Sequence, residues 1–256
     1  MRCAAIAAVS DPQPHVYDRI GIGYASMRRA DERIARRIRA ALGDAGSILN
    51  VGAGSGSYEP ADRRVVAVEP SITMIRQRAA DAAPVVQGCA ERLPFATATF
   101  DAALAILTVH HWRDWRVGLR EIRRVARERI VLFTWDPGST GFWIHDYFPN
   151  VLAADRKRFP SLRSIQDEAG AARIEIVPIP HDCSDGFMGA WWRRPDCYLL
   201  PGVRQSISSL ATASGDAGLA RLAADLASDA WTRRYAGVLA HAELDLGYRL
   251  LIVGGS

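Results

Sequence analysis

The sequence predicts an α/β fold: a doubly wound, mostly parallel sheet of seven strands, with a helical cap inserted after the fifth strand. Two observations carry this. Short apolar runs alternate with helix-like segments from residue 31 to 135, the rhythm of βαβ units. Those runs are also continuously apolar, as strands buried on both faces of a parallel sheet must be.

Each element follows in order. Residues 31–42 (DERIARRIRAAL) predict a helix, because Ile34, Ile38 and Leu42 recur four apart on one stripe with Arg opposite. Ile48–Val51 predicts the first strand and Val65–Val68 the second. Ser71 can cap a helix over Ile72–Ala80. Strands three to five are expected at Pro84–Gln87, Phe100–Leu107 and Arg129–Thr134, with an amphipathic helix at Trp115–Arg127. After Asp136-Pro137-Gly138 the rhythm breaks. An aromatic helical stretch at Phe142–Phe159, a strand at Ile174–Ile179 and helical patterns over 186–240 precede a last strand at Leu246–Val253. The expected division is a lid and α/β core over 1–137, a mainly helical cap over 138–244 with one sheet strand near 173–180, and a closing strand in 245–256.

Composition removes several classes. Of the 256 residues, 49% are hydrophobic and 23% charged, enough apolar material for a packed core and too much for a disordered chain. Net charge is +4, too small to imply a nucleic-acid partner by itself. The basic side is almost entirely arginine, since Lys157 is the only lysine among 32 basic residues. Cys3, Cys89, Cys183 and Cys197 form no CxxC pair, so neither a disulfide framework nor a zinc site is expected. No segment is long and apolar enough to span a bilayer. The expectation is a cytoplasmic protein without a metal, acting as a monomer or homodimer.

The chemistry concentrates at the carboxyl ends of the predicted strands. Gly52-Ala53-Gly54-Ser55-Gly56 follows the first strand, where glycines permit a tight turn and close approach of a ligand. Its GxGxG spacing differs from the GxGxxG of dinucleotide folds, and no Gly-Lys-Ser/Thr follows as in a phosphate loop. Glu69 ends the second strand, 17 positions after Gly52, where a carboxylate can accept both hydroxyls of a ribose. GCAERLPF (88–95) and LTVHHW (107–112) occupy the corresponding turns after strands three and four.

In combination these motifs resemble the class I S-adenosylmethionine-dependent methyltransferases, in particular the group called type 11. The matching stretches are ILNVGAGSGSYEP, VVAVEPS, GCAERLPF, TFDAALAILTVHHW and EIRRVARERIVLFTWDP, within about residues 14–137. The resemblance implies S-adenosylmethionine as cofactor and S-adenosylhomocysteine as its product. It implies that Gly52, Ala53, Gly54 and Gly56 line the methionine part, that Glu69 holds the ribose, and that Pro70 and Ser71 flank the adenine. Ala90 and Glu91 would lie at the adenine ring, Leu107 would offer backbone contacts, and Trp112 would border the transfer pocket. Tyr17 and Tyr24 would lie on an N-terminal lid, and Arg28 or Arg29 could pair with the cofactor carboxylate. Two departures stand out. Ser57–Arg64 leaves room for only a very short first crossover helix. Cys89 replaces the aspartate that many relatives use to accept the adenine amino group, a contact that Glu91 could take over.

Methyl transfer from a sulfonium needs alignment and exclusion of water more than a catalytic group, so a base is required only for a protonated acceptor. His111 is the candidate base, and its neighbour His110 is expected to point elsewhere, as adjacent residues usually do. His145 beside Asp146 and His181 beside Asp182 are further candidates. The aromatic insertion predicts a substrate pocket of His111, Trp135, Trp143, Tyr147, Trp191 and Trp192, with Arg193 holding an acidic group. The function these features imply is methylation of oxygen or nitrogen on a small molecule, a bacterial secondary metabolite. The alternatives are methylation of tRNA or protein, which the missing Lys-rich tracts speak against, and a protein of the same fold that binds the cofactor without transferring a methyl group.

Overall fold

The computed structural model describes residues 27–211 and 216–254. In chain order the strands are β1 (Ser47–Val51), β2 (Arg64–Glu69), β3 (Val85–Gln87), β4 (Phe100–Ile106), β5 (Ala126–Trp135), β6 (Ala172–Ile176), β7 (Ile179–Pro180), β8 (Glu243–Leu244) and β9 (Tyr248–Gly254). Seven of them form one sheet in the order β3-β2-β1-β4-β5-β9-β6, while β7 and β8 pair as a separate ribbon. The first five are parallel. β9 enters antiparallel between β5 and β6, with Val131 opposite Ile252 and Ile174 opposite Leu251. Strand order reverses between β1 and β4, so their carboxyl ends flank the crevice where such sheets bind ligands.

Period-two alternation divides each central strand between two cores. Ala102 and Leu104 of β4, Val131 and Phe133 of β5, and Leu250 and Ile252 of β9 face helix α1 (Glu32–Leu42). Ala103, Ala105, Ile130, Leu132 and Leu251 face the other helical layer. Asp31 caps α1 by accepting the Arg33 N–H at 3.0 Å, and the stripe Ile34, Ile38 and Leu42 is fully buried, as its spacing predicts. On the opposite face Leu119, Ile122 and Val125 belong to the helix Trp115–Val125, and Ile165 and Ala169 to the helix Leu162–Ala169.

The first crossover contains no helix at all, where the sequence predicts a very short one. Residues 52–63 run as successive turns. Gly52, Gly54 and Gly56 take φ of +68°, +54° and +87°, which an α-helix excludes. A buried ion pair holds this segment instead. Arg78 meets Glu59 at 2.7 Å, donates to the Gly54 carbonyl at 3.3 Å and to the Ala83 carbonyl at 3.0 Å. α2 (Ile72–Ile75) is shorter than the predicted Ile72–Ala80, and Arg78 lies in the turns that follow it.

Two further boundaries shift. β6 begins and ends earlier than Ile174–Ile179, because Ile179 and Pro180 pair with β8 instead of β9. The aromatic stretch 142–159 splits into two helices, Ile144–Tyr147 and Pro149–Arg158, since the residue before Pro149 leaves the helical region (Phe148 φ −128°, ψ 64°). Their apolar faces join Tyr198, Val203, Ile207, Leu222 and Trp231 in a third core belonging to the insertion. Among the described residues no helix is long and apolar enough to cross a membrane.

Candidate functional site

The glycine turn and the end of β2 are joined through one carboxylate. Glu69 is buried; its Oε2 accepts the Gly54 N–H at 2.8 Å and its Oε1 accepts the Ser71 N–H at 2.9 Å. Ser71 is itself inaccessible and caps α2 by accepting the Met74 N–H at 3.2 Å. Gly52 and Ala53 both donate to the Val68 carbonyl, at 2.8 and 3.1 Å, which folds the turn back over the sheet edge. A side chain at Gly52 would overlap the Thr108 hydroxyl, so this glycine is required by space as well as by φ. The cradle therefore combines left-handed backbone, a tethered carboxylate and a close approach from the turn after β4.

The neighbouring positions fall around it. Pro70 is half-buried, and its carbonyl accepts the Gln87 amide at 3.2 Å. Ala90 is buried beside the ring of Trp112, which lies over Gly118 and donates to Thr108 Oγ1 at 3.3 Å. Trp112 thus stands with Ala90 and does not line the cleft described below. Glu91 accepts the Asp114 N–H at 3.0 Å and hydrogen-bonds the Cys89 thiol, whose pKa is raised by burial and by that carboxylate. Tyr17 and Tyr24 lie outside the described residues.

A cleft opens at the carboxyl end of β4. Its floor is the turn after that strand, with Leu107, His110 and His111. Leu107 holds φ +48°, a left-handed conformation that costs a branched residue about 1–2 kcal/mol and redirects the chain into the turn. The walls are Trp135 from β5, Tyr248 from β9, and Phe142, Phe159, Phe187, Met188 and Ile207 from the insertion; Asp155, Ser206, Ser208 and Ser209 form its polar end.

The histidines differ from expectation. His110 and His111 both line the cleft, because they sit in a single 3-10 turn (Val109–His111) where consecutive side chains diverge less than along a strand. Their rings lie 3.9 Å apart, and His110 stacks on Phe159 at 3.7 Å. Burial, with His111, Arg158 and Arg28 nearby, holds His110 well below the ordinary imidazole pKa. His145 is buried in the wall, and burial lowers its pKa to about 4. Its Nδ1 accepts the Phe142 N–H at 3.1 Å, while Asp146 turns to the Tyr235 hydroxyl at 2.7 Å and does not orient it. His181 stands away from the cleft, and its neighbour Asp182 pairs with Arg33 at 2.7 Å.

Of the predicted pocket residues, the structure brings His111 and Trp135 to the cleft. Trp143, Tyr147, Trp191, Trp192 and Arg193 are elsewhere. Trp143 donates to the Trp192 carbonyl at 2.7 Å and Tyr147 to Asp225 at 2.6 Å, both within the core of the insertion. Trp192 is completely buried, its indole N–H on the Ile179 carbonyl at 2.9 Å. Trp191 stacks under Arg194 at 4.3 Å, and Arg193 reaches the His241 carbonyl at 3.4 Å. Trp143 and Tyr147 build the insertion's own core, while Trp192 joins the core between the sheet and α1. Sequence reasoning missed Asp155, Phe159, Phe187, Tyr248 and the serines; only the aromatic richness of 142–159 pointed near them.

Arg28 is committed to the protein. Its Nε meets Asp185 at 2.6 Å, with the carboxylate inaccessible, and the Tyr58 hydroxyl donates to the same group at 2.9 Å. The cluster joins residue 28, the first crossover and the insertion at the rim of the cleft.

Comparisons with known proteins agree with this geometry. A family model described as a methyltransferase domain matches residues 49–133. A candidate methyltransferase from an antibiotic biosynthesis pathway of Anabaena variabilis is 35% identical; the match covers 90% of this chain and 99% of that one, with a TM-score of 0.81. The 2-methyl-6-phytyl-1,4-hydroquinone methyltransferase 1 of rice chloroplasts is 31% identical over 142 residues, which are 53% of this chain and 38% of that protein. The chain thus spans about a third of the length of the curated relatives it matches. The [4+2]-cyclase SpnF shares the fold at 16% identity and a TM-score of 0.55, over 92% of both chains.

Proposed function

This chain belongs to the class I S-adenosylmethionine-dependent methyltransferases, and from that premise we propose that it methylates an oxygen or nitrogen of a small molecule held in the cleft after β4. The observation that carries the reading is the shared turn. Thr108 abuts the Gly52 turn, while Leu107, His110 and His111 beside it form the cleft floor. Donor cradle and acceptor cleft therefore meet at one loop.

Bound in the cradle, S-adenosylmethionine supplies an activated methyl group, because its sulfonium is a good leaving group. Glu69, tethered by two backbone donors, is set to accept the ribose hydroxyls, and Gly52–Gly56 admit the chain of the cofactor. The protein's part in the reaction is alignment and exclusion of water. Trp135, Phe159 and Tyr248 provide dry walls. His111 would take the proton of a hydroxyl acceptor as its oxygen bonds the methyl carbon and the carbon–sulfur bond breaks, whereas an ammonium acceptor would have to give up its proton before attack.

The aromatic cleft and the pathway of the Anabaena relative support a secondary metabolite as acceptor. The protein is read as cytoplasmic, monomeric or homodimeric. Methyl-labelled cofactor incubated with the enzyme and with separated small-molecule, tRNA and protein fractions of the host tests the proposal. Label appearing in the small-molecule fraction supports it; label confined to tRNA or protein contradicts it.

A further inference from the structure

Among the described residues, the carboxylate and the guanidinium that line the cleft are both answered within the protein. Arg28 is paired with Asp185 at 2.6 Å. Asp155, 6% exposed, accepts through Oδ1 from Arg158 at 2.8 Å and from the Ser209 hydroxyl at 2.9 Å. Arg158 also donates to Ser209 at 2.8 Å, closing a three-membered knot at the polar end. His145 uses Nδ1 as an acceptor from the Phe142 N–H, which only a neutral ring can do. The remaining described lining is aromatic, aliphatic or hydroxylic, with the imidazoles of His110 and His111 at the floor. Among the described residues the wall offers no uncommitted carboxylate or guanidinium, so the desolvation of a ligand carrying its own charge would be poorly compensated. An uncharged ring meets no such penalty.

We propose that the cleft selects an uncharged, flat acceptor whose reacting group is a phenolic or alcoholic hydroxyl, and that the Asp155–Arg158 pair sets this charge preference. The inference rests on the reading of the cleft as the acceptor site. Under it an aliphatic amine, protonated in water, or a carboxylate is discriminated against. Asp155 acts as a specificity residue: remove its charge and Arg158, directly behind the lining residues Asp155 and Ser209, is left without its counter-charge, so anions gain. Remove the charge of Arg158 and Asp155 makes the cleft attractive to cations.

The test uses the full chain loaded with S-adenosylhomocysteine, which keeps the charge of the sulfonium out of the comparison. Calorimetry measures the binding of naphthol, naphthoate and naphthylmethylammonium, which share one ring system. Naphthol is expected to bind at least about tenfold more tightly than either ion, the scale on which an unpaired charge is penalised at a partly buried site. Asp155→Asn is expected to improve naphthoate relative to naphthol by about tenfold, and Arg158→Gln to improve the ammonium similarly. S-adenosylhomocysteine affinity reports whether each variant keeps its fold, and one folded variant suffices. Equal or tighter binding of either ion by the wild type, no binding of naphthol, or an unchanged ion preference in a folded variant overturns the inference while leaving the cofactor assignment intact. Failure of S-adenosylhomocysteine to bind the wild type overturns that assignment, and the inference with it.

Discussion

The Gly54 N–H donates to Oε2 of Glu69 at 2.8 Å, so the first-strand turn and the end of the second strand are one hydrogen-bonded unit. With the Ser71 N–H on Oε1 at 2.9 Å, the carboxylate is oriented by the protein itself. Such preorganisation lowers the entropic cost of binding a ribose.

Glu69→Ala should therefore weaken S-adenosylhomocysteine by about tenfold to a hundredfold, as hydrogen bonds to a charged group are lost. Glu69→Gln is expected to be nearly as damaging, because its amide nitrogen must oppose one of the two backbone donors. Titration calorimetry on both variants checks this, and full affinity in the glutamine variant would remove the tether from the binding site.

Gly52→Ala should cost about 2–4 kcal/mol of stability, combining left-handed strain with overlap on Thr108. Thr108→Ala should not restore it. The added methyl would still lie 2.9 Å from the Thr108 Cβ, and φ would remain +68°. Urea unfolding of the single and double variants reads both effects; full rescue would show that overlap with the hydroxyl alone was responsible.

Stability should fall on mild acidification. The buried His145 has its pKa lowered from 6.5 to about 4, so between those values the unfolded chain binds a proton that the folded chain refuses. The sign follows from linkage: stability is retained above pH 6.5 and lost as pH falls toward 4, by up to about 3 kcal/mol. His110, also lowered by burial, adds in the same direction. His145→Asn, which keeps an acceptor for the Phe142 N–H, should flatten the pH dependence of denaturation between pH 7 and 5. An unchanged slope would exclude His145 as its source.

The Arg28–Asp185 pair predicts a graded pair of variants. Asp185→Asn leaves a guanidinium that is 10% exposed without its counter-charge and should cost about 3–5 kcal/mol. Tyr58→Phe removes one hydrogen bond to the same carboxylate and should cost about 1–3 kcal/mol. Chemical denaturation gives the order; a larger loss in Tyr58→Phe would contradict it.

The sheet was legible in the sequence because its physics is local. Continuous apolar runs such as Ile48–Val51 and Val65–Val68 mark strands buried on both sides, and glycines at left-handed positions mark the turn. The path of residues 52–63 was not, since the Arg78–Glu59 pair that replaces a crossover helix joins residues 19 apart and has no periodic signature. The cleft was legible where it touches the sheet, at Leu107, His111 and Trp135, and in part in the insertion, at Phe142 and His145. Trp143, Tyr147 and Trp192 read equally well as pocket or core, and what decides is the hydrogen bonding of their polar atoms to the Trp192 carbonyl, Asp225 and the Ile179 carbonyl. Asp155 and Tyr248 reach the cleft through tertiary packing that no nearby motif announces.

The most direct measurement is titration of the purified chain with S-adenosylhomocysteine and S-adenosylmethionine by calorimetry. Saturable binding of both at one site per chain, greatly weakened by Glu69→Ala, is the predicted result. No measurable binding of either to the folded protein would contradict the assignment of the Gly52–Glu69 cradle.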